Sequence, residues 1–181
     1  QQVLGIKDAL AKLGVEYDKV QNSAAMRSPY SDKNEESGTC VFAPMLCIYE
    51  EYDFPVLFTL FEYIGQEHLG VDSIVVRAGD YKYQYGIKDF VKLGSEEQKI
   101  KNRTVAVEYG MRVATDYDYN MFMDILSSKE SIVRFSRLYH GEFACQDYTI
   151  TNEDRQAITD VINAYNLMCS VSPEVMRKAL A

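Results

Sequence analysis

The sequence lacks the short signatures that mark several common enzyme classes. It contains no GxSxG of serine hydrolases, no phosphate-binding GxxxxGK[ST], no zinc-binding HExxH and no dinucleotide-binding GxGxxG. The enzyme classes that these motifs mark are therefore disfavoured. We predict a protein without a cofactor, and an enzyme is the weaker of the possible interpretations.

Cysteine and histidine, the usual soft metal ligands, are scarce, at four and two residues, and tryptophan is absent. No two cysteines have CxxC spacing, and the two histidines cannot complete a Cys2His2 set with zinc-finger spacing. We therefore expect no metal site. The four cysteines are Cys40, Cys47, Cys145 and Cys169.

Long apolar runs and clusters of positive charge are also missing. The longest nearly apolar run covers residues 54–61 and ends at Glu62, far below the roughly 20 residues that span a bilayer. The net charge is −8 and no Lys/Arg cluster offsets it, so phosphate backbones are repelled. We expect neither a transmembrane segment nor nucleic-acid binding.

What the sequence does have is an ordinary globular composition over 181 residues, with 47% hydrophobic and 25% charged side chains. A chain of this length buries roughly 70% of its unfolded surface on folding, so one hydrophobic core is predicted. We therefore predict a single α+β domain over residues 1–181. The start at Gln1, without Met, favours a secreted, periplasmic or envelope protein after signal removal, with a trimmed cytoplasmic chain as the alternative.

Apolar residues at three- and four-residue intervals predict four helices. An amphipathic N-terminal helix is expected over residues 3–13, and two helices of the C-terminal half over 117–128 and 153–168. Thr151 with Asp154 has the form of a capping box for the last of these. Ser172 and Pro173 predict the start of a short terminal helix, because Pro is favoured at the first helical position.

Alternating or continuous apolar residues predict the strands. They fall at about 40–52, 55–64, 73–85, 104–113 and 132–139, with a short segment at 148–150, and the stretch 55–64 also fits a helix. We expect a mainly antiparallel sheet of about five or six strands, with the two C-terminal-half helices packed on one face. The polar residues 21–39 are predicted to form a long mobile loop.

Two conformations are considered for the segment that contains Pro44. A hairpin at Ala43-Pro44, with a cis Pro44, would place Cys40 opposite Cys47 and permit a cross-strand disulfide. A straight strand with two small buried thiols is the favoured alternative.

Three arginines in predicted strands suggest a ligand-binding face. If Arg112 and Arg134 point away from the apolar side of residues 105–113, they form a cationic patch beside Tyr81 and Tyr83, with Arg77 nearby. Our leading hypothesis is a non-enzymatic protein that binds a protein partner or a small ligand through this face. Ordinary cross-strand ion pairs, for example to Glu108, explain the same arginines without a ligand.

Two other functions are weighed against this one. A hydrolase or transferase would use His140 with Glu142, Cys145 or Asp147, which the sequence places in one turn region. An acidic inhibitor or immunity-type protein would use a contiguous negative face to bind a basic protein.

The string Asp116-Tyr-Asp118-Tyr-Asn120 resembles the start of a calcium loop. An EF-hand needs Gly at the sixth position and Glu at the twelfth, where this chain has Met121 and Ser127. A helix N-terminus explains the same carboxylates, which satisfy backbone N–H groups there.

Overall fold

The computed structural model describes residues 1–139 and 141–181, with the side chains of all of these except Lys92 and Tyr139. In this part of the chain, ten strands form two antiparallel sheets. The strands are β1 (Gly14–Asp18), β2 (Ser23–Arg27), β3 (Val41–Tyr49), β4 (Val56–Gly65), β5 (Ser73–Ala78), β6 (Tyr81–Gly86), β7 (Val91–Ile100), β8 (Arg103–Val113), β9 (Ser131–Tyr139) and β10 (Glu142–Thr149).

Five α-helices accompany the sheets, and side-chain caps explain where several begin. Ser28 accepts from the Tyr30 amide at the start of the second helix, and Thr151 accepts from the Asp154 amide at the start of the fourth. The helices are α1 (Gln2–Leu10), α2 (Pro29–Ser37), α3 (Asp116–Ser127), α4 (Asn152–Cys169) and α5 (Pro173–Leu180). A short 3-10 turn covers Ile87–Asp89.

The first sheet has the strand order β1-β2-β3-β4-β8-β7 and is curled. Its two central strands, β3 and β4, are buried along nearly their whole length, so both of their faces are covered. Phe42, Leu46 and Phe61 lie on the outer face, in the main core. Met45 and Leu60 lie on the inner face, which the curl makes concave.

The second sheet has the order β10-β9-β5-β6 and packs against the outer face of the first. Ile74, Val76, Val133 and Phe135 are fully buried in the shared core. Phe61 and Phe135 link the two sheets through rings whose centroids are 6.1 Å apart. Helix α4 contacts β3 and β2, and α3 contacts β5, so the helices complete the same core.

The α+β class and the antiparallel pairing are confirmed, but the predicted single sheet is two sheets. The expected strand 73–85 is a hairpin, β5 and β6, with Gly79 at its turn in a left-handed conformation (φ 58°). A turn at Gly79-Asp80 lets both halves keep alternating patterns, which is why the stretch resembled one strand.

The predicted loop 21–39 is wrong, because it contains β2 and α2. Helix α2 has little apolar periodicity, and its order comes from Ser28, Pro29 and a left-handed Gly38 (φ 77°) at its ends. Its side chains also bind other elements: Asn34 donates to Asp154 at 2.8 Å, and Lys33 pairs with Glu153. The polar side chains of this segment therefore form tertiary hydrogen bonds and ion pairs.

Strand β3 runs straight through Pro44, so the favoured conformation of this segment is confirmed. No cis peptide bond occurs among the described residues. Cys40 and Cys47 are seven positions apart on an extended chain, roughly 23 Å at about 3.3 Å per residue. A disulfide between them is excluded by this separation.

No helix within residues 1–139 and 141–181 is long and apolar enough to cross a membrane.

Candidate binding site

The concave inner face of the curled sheet encloses a cavity of about 780 Å³, which we call the acidic cleft. All six strands of the sheet contribute to it, from β1 at one edge to β7 at the other. Its apolar lining is Val15, Met45, Leu60, Val107, Tyr109 and Met111. A space of this size is typical of sites for small organic molecules.

The charged lining of the acidic cleft is unbalanced. Among the described side chains of the lining, one cation, Arg27, faces five carboxylates: Glu16, Asp32, Glu35, Glu62 and Glu96. The formal charge of these six groups is −4 when all are ionised. This excess of carboxylates gives the described lining of the cleft a negative potential.

Arg27 organises one side of the cleft. Its Nη1 donates to Glu62 Oε1 at 2.9 Å, its Nη2 donates to Glu35, and its Nε pairs with Asp32. Helix α2 starts directly after Arg27 and supplies Asp32 and Glu35 from successive turns, while Glu62 comes from β4. The three carboxylates raise the pKa of Arg27 against the opposing effect of burial, so this residue is cationic at any physiological pH.

Glu62 is the least satisfied member of this group. The residue is only 8% exposed, and its Oε2 is buried with no hydrogen-bond partner among the described residues. Burial raises the pKa of Glu62, and Arg27 offsets this only in part, since Glu35 and Asp32 add repulsion. A buried carboxylate oxygen without a donor is energetically unfavourable.

The Tyr109 side chain extends the cleft over β7, because the residue opposite it in that strand is a glycine. Gly94 lies opposite Tyr109 in the β7–β8 register, and a Cβ on Gly94 would lie 2.1 Å from the tyrosine ring. The ring therefore rests on the bare backbone of the edge strand, an arrangement in which an aromatic side chain covers a glycine. An aromatic face here is suited to contact with a cation.

The structure separates the five residues predicted to form a binding face. Arg77 and Arg134 both lie on the outer face of the second sheet, beside a shallow cavity of about 800 Å³. Arg134 is exposed and forms two hydrogen bonds with Asp147, at 2.6 and 2.8 Å. This pair is the cross-strand ion pair considered as the alternative, although with Asp147 rather than Glu108.

The other three predicted residues lie elsewhere. Tyr83 points to the opposite face of the second sheet, where it donates to Asp124 of α3, and Tyr81 is exposed on the same strand. Arg112 belongs to the first sheet and lies between the sheets, 3.5 Å from Asp118 and over the Tyr85 ring. The five side chains therefore do not share one face. Ligand binding by Arg77 and Arg134 stays a prediction.

The alternative catalytic group is described only in part, because His140 lies outside the described residues. Glu142, Cys145 and Asp147 are exposed along β10, and Asp147 is paired with Arg134. The carboxylates at 116–118 belong to a helix start: Asp118 accepts from the Thr115 amide at 2.9 Å. In the part of the chain that the structure describes, no group of three or more His, Cys, Asp or Glu side chains could hold a metal ion.

Sequence reasoning missed the acidic cleft for identifiable reasons. Arg27, Asp32 and Glu35 lie in the segment predicted to be a loop, and Glu96 lies in β7, whose polar residues do not alternate. One signal was present: Glu62 ends an apolar run and yet lies inside a strand that is buried on both sides. A carboxylate in such a position needs a partner.

Comparisons of the chain with protein-family models, with curated proteins and with solved structures found no match.

Proposed function

We propose that this protein is a binding protein that holds a small organic cation, an amine or guanidine on an apolar body, in the acidic cleft. The observation that carries the proposal is the buried Glu62 Oε2, which no described group satisfies, in a cleft whose carboxylates outnumber its one guanidinium. An ammonium group supplies both the missing hydrogen bond and the missing charge. The binding role predicted from the sequence is retained, and its location moves to the first sheet.

The cleft lining supports an organic cation with an apolar part. Met45, Leu60 and Met111 provide an apolar floor beside the carboxylates, and Tyr109 provides an aromatic face. Methionine adapts to ligands of varied shape, and tyrosine attracts cations through its ring. Glu62 is the residue that contacts the cationic group, and Arg27 is a positioning residue that holds the Glu62 carboxylate through Oε1.

Calorimetric titration with phenethylammonium tests this function, with the neutral 2-phenylethanol as the matched probe. We expect saturable binding of the cation, and weaker binding of the alcohol by at least about tenfold, since hydrogen bonds to charged groups contribute about 1.5–3 kcal/mol. Glu62→Gln should remove the preference for the cation. Glu142→Gln removes the same charge from an exposed position on β10 and should bind as the wild type does.

A second candidate follows from the same charge pattern. Lysine and arginine side chains are organic cations, so the cleft also suits an inhibitor that receives a basic residue of a partner protein. A trilysine peptide distinguishes the two: tighter binding of the peptide than of phenethylammonium favours a protein partner. Both candidates would be contradicted if no cation binds saturably. They would also be contradicted if the Glu142→Gln control loses affinity for both ligands to the same extent.

A further inference from the structure

A second cavity, of about 740 Å³, opens where the two sheets diverge, and we call it the arginine cavity. It lies between the end of β4 with its following loop, the start of β8, and strands β9 and β10. Its charged lining has the opposite sign to that of the acidic cleft. Arg103, Arg137 and His68 line it, against the single carboxylate of Glu67.

Arg137 combines a buried guanidinium nitrogen with a charge that no described carboxylate pairs with. It lies on the same side of β9 as Val133 and Phe135, which are fully buried, so its side chain points toward the first sheet. Its Nε is buried with no hydrogen-bond partner, and it has no ion pair within residues 1–139 and 141–181. Two arginines of the first sheet, Arg27 and Arg112, each lie within 4 Å of a carboxylate. Cations with buried nitrogens are normally paired in this way.

The loop after β4 holds Arg137 in place. Gly70 adopts a left-handed conformation (φ 72°), and a Cβ there would lie 3.2 Å from Arg137 Cδ. The loop is fixed in turn by Glu108, whose two oxygens accept from the amides of Gly70 and Val71, each at 2.7 Å. The Glu108 carboxylate is therefore used by the backbone amides of this loop, and it forms no ion pair with Arg137.

Neighbouring groups add donors around the same space. Arg103 lines the cavity and forms no ion pair with any described residue. His68 also lines the cavity, with its Nδ1 3.1 Å from Ser95 Oγ. Gln146 lines the cavity from β10, and its amide makes only long contacts, 3.5 Å to the Ile64 carbonyl and 3.7 Å to Cys40 Sγ.

We infer that the arginine cavity binds a small oxyanion, the phosphate or carboxylate group of a ligand, with Arg137 as the principal contact and Arg103 as the second. The planar guanidinium presents N–H donors in a fork that matches two oxygens of such a group. The anion supplies the counter-charge that Arg137 lacks among the described residues. This site is independent of the acidic cleft, where the missing group is a donor.

Titration of ¹⁵N-labelled protein with inorganic phosphate and with succinate tests the inference, observed at the arginine Nε–Hε resonances at constant ionic strength. We expect a saturable shift of the Arg137 resonance, while the Arg134 resonance on the outer face stays in place. The anion that binds more tightly identifies the ligand class. Non-saturating shifts of equal size at all arginines, or no shift at Arg137, would overturn the inference.

Variants separate this site from folding and from the acidic cleft. Arg137→Gln and Arg137→Lys should each weaken binding by about tenfold or more, because each loses the paired N–H donors. The Lys variant keeps the charge, so wild-type affinity in it would contradict recognition by the guanidinium fork. Arg134→Gln is the matched control and should bind normally. Glu62→Gln should leave anion binding intact. The proposal for the acidic cleft can therefore fail without affecting the result for the arginine cavity.

Discussion

Glu62 uses one carboxylate oxygen to accept from Arg27 Nη1 at 2.9 Å, and no described group hydrogen-bonds to its other, buried oxygen. The ion pair thus fixes the direction of the carboxylate without satisfying it. Residues that destabilise a fold in this way are typical of binding and catalytic sites, where a ligand completes the interactions.

Replacing Glu62 by Gln should stabilise the ligand-free protein near neutral pH. Burial raises the pKa of Glu62 in the fold, and the lowering effect of Arg27 is smaller than this rise. The folded protein therefore binds the proton of Glu62 more tightly than the unfolded chain does. Stability of the wild type therefore falls as pH rises from the unfolded pKa of about 4.3 toward the raised folded value. Urea unfolding from pH 4 to pH 8 should show this decrease in the wild type and a smaller one in Glu62→Gln. An identical pH profile in both proteins would contradict an unfavourably ionised Glu62.

Replacing Arg27 by Lys should destabilise the protein by about 1–3 kcal/mol, although the charge is unchanged. The three guanidinium nitrogens bind three different carboxylates, Asp32, Glu35 and Glu62, and a single ammonium cannot span them. We expect a smaller loss of stability than for a fully buried ion pair, because a quarter of the Arg27 side chain is exposed. Urea denaturation measures it, and Arg134→Lys, at an exposed ion pair, should change stability little. Equal effects of the two substitutions would mean that the cluster has no special role.

Replacing Gly94 by Ala should displace Tyr109 and weaken ligand binding in the acidic cleft. The new Cβ would lie 2.1 Å from the tyrosine ring, so the ring must move, and we expect a loss of stability of about 1–3 kcal/mol. Gly5→Ala is the matched control: Gly5 lies in α1 with nothing within 4 Å of its Cβ position, and Ala there should stabilise by about 0.5–1 kcal/mol. Thermal unfolding and phenethylammonium titration measure both effects. Unchanged affinity in Gly94→Ala would exclude Tyr109 from the site.

Two of the four cysteines should react with a thiol reagent in the native protein. Cys145 and Cys169 are exposed, and Cys40 and Cys47 are buried. Partial burial raises the pKa of Cys169, so Cys145 should react first, since the thiolate is the reactive form. Burial likewise raises the pKa of Cys40, against the lowering effect of its hydrogen bond from the Ile64 amide. Timed absorbance with Ellman's reagent should give two equivalents natively and four in denaturant. Two equivalents in denaturant would indicate a disulfide.

The parts of the fold with a strong periodic signal were predictable. Helix α4, with the Thr151–Asp154 capping box, and strand β8 lie within a few residues of their expected positions. The strands that sequence reasoning missed are short or lie at sheet edges. Strands β1 and β7 are the two edges of the curled sheet, and edge strands tolerate polar and charged residues on both faces.

The candidate site could not be predicted, because its residues meet only through tertiary structure. Arg27 and Glu62 are 35 positions apart, and they approach each other because β2, β3 and β4 are neighbours in a sheet that curls. The assumption of one antiparallel sheet indicated a patch of Arg77, Tyr81, Tyr83, Arg112 and Arg134 instead. The sheet pleat directs Tyr83 and Arg77 to opposite faces, and Arg112 belongs to the other sheet.

Methionine methyl NMR tests the organic-cation site most directly, because the methionines report on separate parts of the molecule. Met45 and Met111 line the acidic cleft, whereas Met121 and Met168 lie fully buried in the main core and Met123 is exposed on α3. Titration of ¹³C-methyl-methionine protein with phenethylammonium should shift the Met45 and Met111 signals saturably and leave the other three in place. Absence of these shifts, or shifts of all methyl signals alike, would contradict binding of an organic cation at Glu62.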